Sequence, residues 1–281
     1  MAIEEMAQVP AAGPLIRTAA AAMLLPRKPR PPAAPSAQLL VRGVTVDRDH
    51  LATYARVCGF PLSDVLPPTY PHVLGFGLAL TLMTRDDFPF PLAGLVHTEN
   101  AIEHRRPVTA DEQLDIAVRA ERFTRHERGY TIDVLTTATV DGAVAWHERS
   151  TYLRRSGSAG AKASTRGEAP TPTSTWRVGR EVGRAYARVS GDRNPIHTSW
   201  LGARLFGFPR PIAHGMWTLA RCLAALAGRL PDAYTVDAAF KRPVLLPSTL
   251  AFSAAEAPNG WTFELHDTSG SPKLRGTATP G

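Results

Sequence analysis

The sequence predicts an α+β fold built from two similar halves, and three observations carry this prediction. Two segments repeat: Tyr54-Ala-Arg-Val-Cys-Gly59 matches Tyr186-Ala-Arg-Val-Ser-Gly191, and His104-Arg-Arg-Pro-Val108 matches Phe240-Lys-Arg-Pro-Val244. Each half also ends in three strand-like segments. Each half contains a strongly apolar run that is typical of a buried helix. A repeat of this length indicates two stacked units of the same kind.

Two segments of low complexity set the boundaries of these units. Residues 1–37 are rich in Ala and Pro, and we expect a loose N-terminal arm with room for one short helix. Residues 156–173 are rich in Gly, Ser, Ala and Pro without apolar periodicity, which predicts a flexible linker. The two halves are therefore 38–155 and 174–281.

The strand-like segments alternate between apolar and polar residues and are rich in Val, Thr, Tyr and Trp, as half-buried strands are. They lie near Gln113–Arg122, Tyr130–Val140, Val144–Leu153, Thr249–Ala255, Trp261–Asp267 and Lys273–Thr279. Asp141-Gly142 and Asn259-Gly260 stand between neighbouring segments and predict hairpin turns.

One helix per half is expected to be buried against these strands. The run from His214 to Leu230 is apolar on nearly all sides, so it predicts a buried helix rather than a surface helix. In the first half, Pro71-His-Val-Leu-Gly75 opens a corresponding apolar run, as Pro211-Ile-Ala-His-Gly215 does in the second.

Composition is that of an ordinary globular protein. The chain has 281 residues, of which 44% are hydrophobic and 20% are charged, enough for two domains with adequate cores. Cys58 and Cys222 have no metal-ligand spacing, and we expect buried, reduced thiols. The histidines of the first half are scattered, and no glycine-rich phosphate loop occurs, so neither a metal nor a nucleotide cofactor is predicted.

The chain is basic, with a formal net charge of +7 and a pI near 9.8. No nucleic-acid motif accompanies this charge, which suits a substrate with phosphates or an acidic carrier protein. The N-terminus is acidic at Glu4 and Glu5, which is unlike a signal peptide, and no apolar run reaches the length of a membrane span. We therefore expect a cytoplasmic location.

The segment from Tyr186 to His197 concentrates the functional groups. Asp192, Asn194 and His197 lie within six residues, after Gly191. Pro195 disfavours helical geometry at Asn194, and the pattern is typical of a turn. A carboxylate and an imidazole on one rigid turn can hold a water or hydroxyl between them, as general acid–base catalysis requires.

Two blocks in this region carry a family resemblance. Ser190-Gly-Asp-Arg-Asn-Pro-Ile-His197, followed by Arg204-Leu-Phe-Gly-Phe-Pro-Arg-Pro-Ile-Ala-His-Gly-Met216, resembles the signature of the MaoC-like, R-specific enoyl-thioester hydratases and dehydratases. The resemblance extends from about Trp176 to about Pro247. It implies a hot-dog fold, a bent antiparallel sheet wrapped around a central helix. The two halves make the chain similar to the double hot-dog 3-hydroxyacyl-thioester dehydratases of actinobacteria.

The resemblance also implies roles for individual residues. Asp192 and His197 would share one water and supply the base and the acid for hydration, or for dehydration in reverse. Asn194 would order the loop or hydrogen-bond that water. The Gly215 N–H, at the start of the buried helix, would stabilise the enolate-like charge on the thioester oxygen. His214 is expected to shape the turn and is assigned no catalytic step.

Substrate recognition is expected to involve phosphates. Four basic residues of the second half could meet coenzyme A or a phosphopantetheine arm on acyl carrier protein: Arg204, Arg210, Lys241 and Arg242. Coenzyme A or phosphopantetheine would be part of the substrate, and no separate cofactor is predicted.

The first half lacks this chemistry. Its segment from Gly59 to Pro71 is eight residues shorter than that from Gly191 to Pro211, and Phe60 stands where the second half has Asp192. We therefore predict one active site per chain, on the second half. A thioesterase of the hot-dog fold and a non-catalytic acyl-binding subunit stay open as alternatives. A monomer with internal pseudo-symmetry and a homodimer are both compatible with the sequence.

Overall fold

In the computed structural model, which describes residues 2–22, 32–156 and 170–281, the two halves contribute strands to one continuous sheet. The strands are β1 (Ala2–Glu5), β2 (Ala37–Val44), β3 (Leu95–His104), β4 (Leu114–His126), β5 (Gly129–Val140), β6 (Ala143–Arg155), β7 (Ser174–Val178), β8 (Tyr234–Phe240), β9 (Ser248–Ala257), β10 (Gly260–Asp267) and β11 (Pro272–Pro280). The helices are α1 (Ala12–Ala22), α2 (Arg48–Cys58), α3 (Tyr70–Thr84), α4 (Glu181–Ser190), α5 (Pro195–Thr198), α6 (Trp200–Leu205) and α7 (Gly215–Ala225).

The order of the strands shows how the halves join. It runs β1-β2-β4-β5-β6-β3-β8-β11-β10-β9-β7, so the first half occupies one side of the sheet and the second half the other. The seam is the antiparallel pair β3–β8, in which Ile102 faces Val236. Apart from the parallel β1–β2 pair, all strand pairs of the described residues are antiparallel. This is the predicted α+β double hot-dog arrangement.

The six predicted strands are present as β4, β5, β6, β9, β10 and β11. Asp141 (φ 50°) and Gly142 (φ 79°) form the left-handed pair that a two-residue hairpin requires. Strands β2, β3, β7 and β8 were not predicted. In β3 the buried positions include polar Asn100 and His104, which hide the alternation that marks a half-buried strand.

Helices α3 and α7 occupy the cores of the two halves, as the apolar runs predicted. Leu78 and Leu82 of α3 and Leu219 of α7 are completely buried. Helix α7 ends at Ala225, short of the predicted Leu230, because a turn with Gly228 at φ 79° follows it. Both cysteines are buried and unpaired. Among the described helices, none is long and apolar enough to span a membrane.

The N-terminal arm is more ordered than predicted. Strand β1 extends the sheet beside β2, and the Met6 N–H donates to the Leu40 carbonyl oxygen at 2.8 Å. Glu4 pairs with Arg85 at 2.8 Å. The sequence contains no signal for this strand, because all four of its residues are exposed and show no apolar alternation.

The remaining boundary predictions fall largely on undescribed residues. Residues 23–31 of the arm, and 157–169 of the predicted linker 156–173, lie outside the described residues. The described end of that linker joins the sheet, because the Thr173 N–H donates to the Phe252 carbonyl oxygen at 2.7 Å.

Candidate active site

The predicted loop follows helix α4 and leads into the one-turn helix α5. Gly191 ends α4 with φ 76°, a left-handed conformation that glycine adopts without strain. Asn194 has a non-helical backbone (φ −54°, ψ 127°), as Pro195 predicts, and its Oδ1 accepts from the Ile196 N–H at 3.3 Å. His197 therefore lies on a helical turn and not in a loop as predicted. Pro195 permits this turn because the first helical position needs no N–H partner.

His197 is held in one tautomer by the backbone. Its Nδ1 lies 2.8 Å from the Ile212 carbonyl oxygen, which only accepts, so Nδ1 carries the proton. Nε2 is then free to act as a base, and it faces Asp192 Oδ2 at 3.9 Å. That distance is too long for a direct hydrogen bond and suits a water that contacts both groups. Burial lowers the pKa of His197, so the imidazole is neutral near pH 7.

Asp192 is oriented by its own loop. Its Oδ1 accepts from the Asn194 N–H at 3.1 Å, and its N–H donates to Ser190 Oγ at 3.2 Å. Oδ2 remains directed towards His197 and His214. The contacts of Asn194 therefore support the first of its two predicted roles, ordering the loop.

His214 is part of this site, although the sequence suggested only a role in shaping the turn. Its ring stacks on that of His197 with centroids 3.7 Å apart, and its Nε2 lies 2.9 Å from the Asp192 carbonyl oxygen. Burial and the neighbouring His197 lower the pKa of His214 to about 3. A neutral His214 therefore donates from Nε2 and fixes the loop that carries Asp192.

Gly215 begins helix α7 directly beside this cluster. The first N–H groups of a helix have no partner within it and point outwards with a partial positive charge. A Cβ at Gly215 would lie 3.3 Å from the Phe240 ring, so a larger residue would crowd the approach to that N–H. Its position is compatible with the predicted role as a donor to the thioester oxygen.

Gly183 is a supporting residue that the sequence did not reveal. It lies in α4, and a Cβ at this position would overlap the carbonyl oxygen of His197. Helix α5 can therefore approach α4 only because residue 183 is glycine. The repeated segments begin after this position, so they gave no signal for it.

Each of the four predicted phosphate-binding residues makes a contact of its own. Arg204 lies over the Trp200 ring at 5.2 Å, and Arg210 Nη1 lies 3.4 Å from the Pro247 carbonyl oxygen. Arg242 lines an open groove of about 340 Å³ together with Lys273, which the sequence did not suggest. The Lys241 N–H donates to the Lys273 carbonyl oxygen at 2.9 Å. Their role in binding phosphates stays a prediction.

Asp192, His197 and His214 also lie close enough for metal binding by distance alone. One ligand atom from each falls within 4.8 Å of the others. Nδ1 of His197 and Nε2 of His214 each contact a carbonyl oxygen, which leaves Nε2 of His197 and Nδ1 of His214 without a hydrogen. The same arrangement can hold a water for proton transfer, and removal of metal ions distinguishes the two uses.

The neutral state of His214 predicts a pH-dependent stability. With a folded pKa of about 3 and an unfolded value of about 6.5, the unfolded chain binds more protons between these limits. Stability therefore falls as the pH is lowered from about 6.5 towards 3. We expect His214→Phe to reduce this slope when the free energy of unfolding is measured by denaturant titration across that range. Identical slopes for both proteins would contradict the assignment.

A double hot-dog with an Asp–His pair beside a helix N-terminus defines the class of MaoC-like dehydratases, and comparisons with known proteins agree. Residues 160–269 match the MaoC like domain, and residues 51–147 match the dehydratase domain region of the FAS1-like family. The chain is 39% identical to 3-hydroxyacyl-thioester dehydratase X of Mycobacterium tuberculosis, over 94% of this chain and 95% of that protein. The chain therefore belongs to the MaoC-like dehydratase family. This confirms the predicted family and its enzyme class, the hydro-lyases.

Solved structures support the fold. The crystal structure of HtdX from Mycobacterium tuberculosis matches with a TM-score of 0.79 and 37% identity, over 87% of this chain and 100% of that one. A conserved hypothetical protein of the same organism, described as a double hotdog fold, matches with a TM-score of 0.51 and 14% identity, over 85% and 93%. The predicted double hot-dog is therefore confirmed.

Proposed function

We propose that this chain catalyses the reversible hydration of trans-2-enoyl thioesters, and in reverse the dehydration of (3R)-3-hydroxyacyl thioesters, in fatty-acid metabolism. The observation that carries the proposal is the pair formed by His197 Nε2 and Asp192 Oδ2, 3.9 Å apart beside the N-terminus of α7. The names of its relatives, 3-hydroxyacyl-thioester dehydratase X and Enoyl-CoA hydratase ChsH3, support the same chemistry.

The geometry suggests how water would be added. A water between the two side chains gives a proton to the pair, and its oxygen bonds to C3 of the enoyl group. The electrons of the double bond move towards the thioester oxygen, where the N–H of Gly215 stabilises the developing charge. The pair then delivers a proton to C2. One water is thus added in full, and the pair regains its starting protonation.

The proposal places a single active site on the second half. Gly59 ends α2 in the same left-handed conformation as Gly191 ends α4, with φ 81° against 76°. The next residue is Phe60, which has no group to transfer a proton. The first half therefore retains the turn and lacks the catalytic carboxylate.

The proposed mechanism uses no metal and no cofactor beyond the carrier of the acyl group. We expect overnight treatment with EDTA, followed by gel filtration, to leave the rate of hydration unchanged. Activity lost on this treatment and restored by a divalent cation would show that the Asp192, His197 and His214 cluster binds a metal after all.

One assay separates the proposed function from its alternatives. Crotonyl-coenzyme A and longer trans-2-enoyl-coenzyme A substrates are added to the intact protein. Loss of the conjugated enoyl absorbance without free thiol indicates hydration, whereas free thiol indicates a thioesterase. Binding without either change indicates an acyl-binding subunit. Repetition with enoyl groups on acyl carrier protein tests the second carrier. The cytoplasmic location and the choice between monomer and homodimer stay predictions.

A further inference from the structure

A cluster of polar residues is buried in the first half, where the proposed mechanism makes no use of it. Glu148 is 1% exposed and accepts from Asn100 Nδ2 at 2.6 Å, and its other oxygen lies 2.9 Å from His72 Nδ1. Burial alone would lower the pKa of His72, but the Glu148 carboxylate raises it. Asn100 Nδ2 also donates to Ser150 Oγ at 3.1 Å.

Two hydrogen-bond acceptors of this region have no partner among the described residues. Both donor contacts of Asn100 run from Nδ2, one of them to a carboxylate, which fixes the orientation of the amide and leaves Oδ1 unpaired. Nε2 of His97 is likewise buried and unpaired. Burial and the charge of His72 lower the pKa of His97 to about 4. A hydrogen bond with the Glu99 backbone raises this pKa, as a carbonyl acceptor does, and since Nε2 is unpaired it is Nδ1 that donates. Neutral His97 thus presents a bare Nε2.

These acceptors lie next to the candidate active site. Phe240 contacts His97, with ring centroids 4.9 Å apart, and its ring carbons lie 3.3 Å from a Cβ placed on Gly215. On the other side, Phe76 lies 5.9 Å from His72 and 3.9 Å from a Cβ placed on Gly191. Phe240 thus contacts both His97 and the start of α7, and Phe76 lies near both His72 and the turn at Gly191.

His104, a buried histidine at the seam between the halves, finds a hydrogen-bond partner within the protein. His104 of β3 stacks on Tyr234 of β8 with centroids 4.9 Å apart, and its Nδ1 pairs with the Asp232 carbonyl oxygen at 3.0 Å. A buried polar atom without a hydrogen-bond partner destabilises the folded protein. His97 Nε2 and Asn100 Oδ1 have no such partner among the described residues, and a hydrogen-bond donor on a ligand would satisfy both acceptors.

We propose that His97 Nε2 and Asn100 Oδ1 form a polar subsite beside the candidate active site, and that it binds acyl thioesters whose chain carries a hydroxyl group beyond C3, distinct from the 3-hydroxyl group of the proposed substrate. Both atoms accept, so the ligand must donate, which a hydroxyl does and a methylene does not. This inference rests on the proposed function only in taking acyl thioesters as the ligands. It assigns to the first half the recognition of that hydroxyl group, while the second half carries the chemistry.

The test measures binding, so it does not depend on turnover. Isothermal titration calorimetry measures the affinity of the intact protein for two series of ligands. One series is medium-chain saturated acyl-coenzyme A, and the other has the same chains with a hydroxyl group added at the end. We expect the best hydroxylated ligand to bind about tenfold more tightly than its plain counterpart, the value of one net hydrogen bond. His97→Phe keeps a ring for stacking on Tyr152 and removes the acceptor, so the preference should disappear.

Two further variants sharpen the result. His104→Phe is the matched control on the same strand and should retain the preference. His97→Gln restores an acceptor and should recover part of it. Equal binding of both ligand types by the intact protein, or a preference that survives His97→Phe, would overturn the subsite. A preference in binding without any hydration of enoyl thioesters would contradict the proposed function and leave the subsite standing.

Discussion

Replacement of Asp192 by Asn, or of His197 by Ala, is expected to lower kcat/KM for enoyl-thioester hydration by about 10²–10⁴. The amide of Asn cannot take up a proton, and Ala removes the Nε2 that faces Asp192 at 3.9 Å. The steady-state rate is measured from the loss of enoyl absorbance. Because both side chains act on one water, the double variant should be scarcely slower than the slower single variant.

The matched control is Asp64→Asn, at an exposed carboxylate of the first half. It should leave kcat/KM unchanged, and circular dichroism should show that all variants remain folded. A folded Asp192→Asn variant with undiminished activity would exclude the proposed pair as the catalytic groups.

Gly183→Ala is expected to lower kcat by about 10²-fold, although residue 183 touches no substrate. Its Cβ would overlap the His197 carbonyl oxygen, so α5 must move away from α4 and carry the imidazole with it. A displacement of about 1 Å at a catalytic group costs a factor of this size. Overpacking should also reduce the free energy of unfolding by about 1–3 kcal/mol. Steady-state kinetics and denaturant titration measure the two effects.

Gly13→Ala supplies the comparison for this effect. Gly13 is also helical, and the nearest atom to an added Cβ is the flexible end of Arg17 at 4.0 Å. This variant should match the intact protein in rate. If Gly183→Ala kept full activity, the close contact between α4 and α5 would not be what positions His197.

The sequence predicted the elements whose signals are local. Alternation within single segments identified six strands, and an apolar run identified α7. The proximity of Asp192 and His197 could be predicted because the two residues lie close together in the sequence. Pro195, taken as evidence against a helix, instead begins one, since its effect depends on whether it stands first or later in the helix.

Contacts between distant residues could not be predicted in this way. His72 and Glu148 are 76 positions apart, and they meet only because α3 packs against the sheet that contains β6. The stacking of His214 on His197 likewise depends on how α7 meets the preceding loop. Strand β1 gave no signal because its pairing with β2 uses backbone groups and its side chains are exposed.

The most direct test of the central claim is the mass of the acyl thioester after the intact protein has acted on crotonyl-coenzyme A in ¹⁸O-labelled water. Hydration by the Asp192–His197 pair predicts an intact thioester that has gained one labelled water, and His197→Ala should form far less of it. Free coenzyme A and a labelled carboxylic acid, with the double bond retained, would contradict the account and identify a thioesterase.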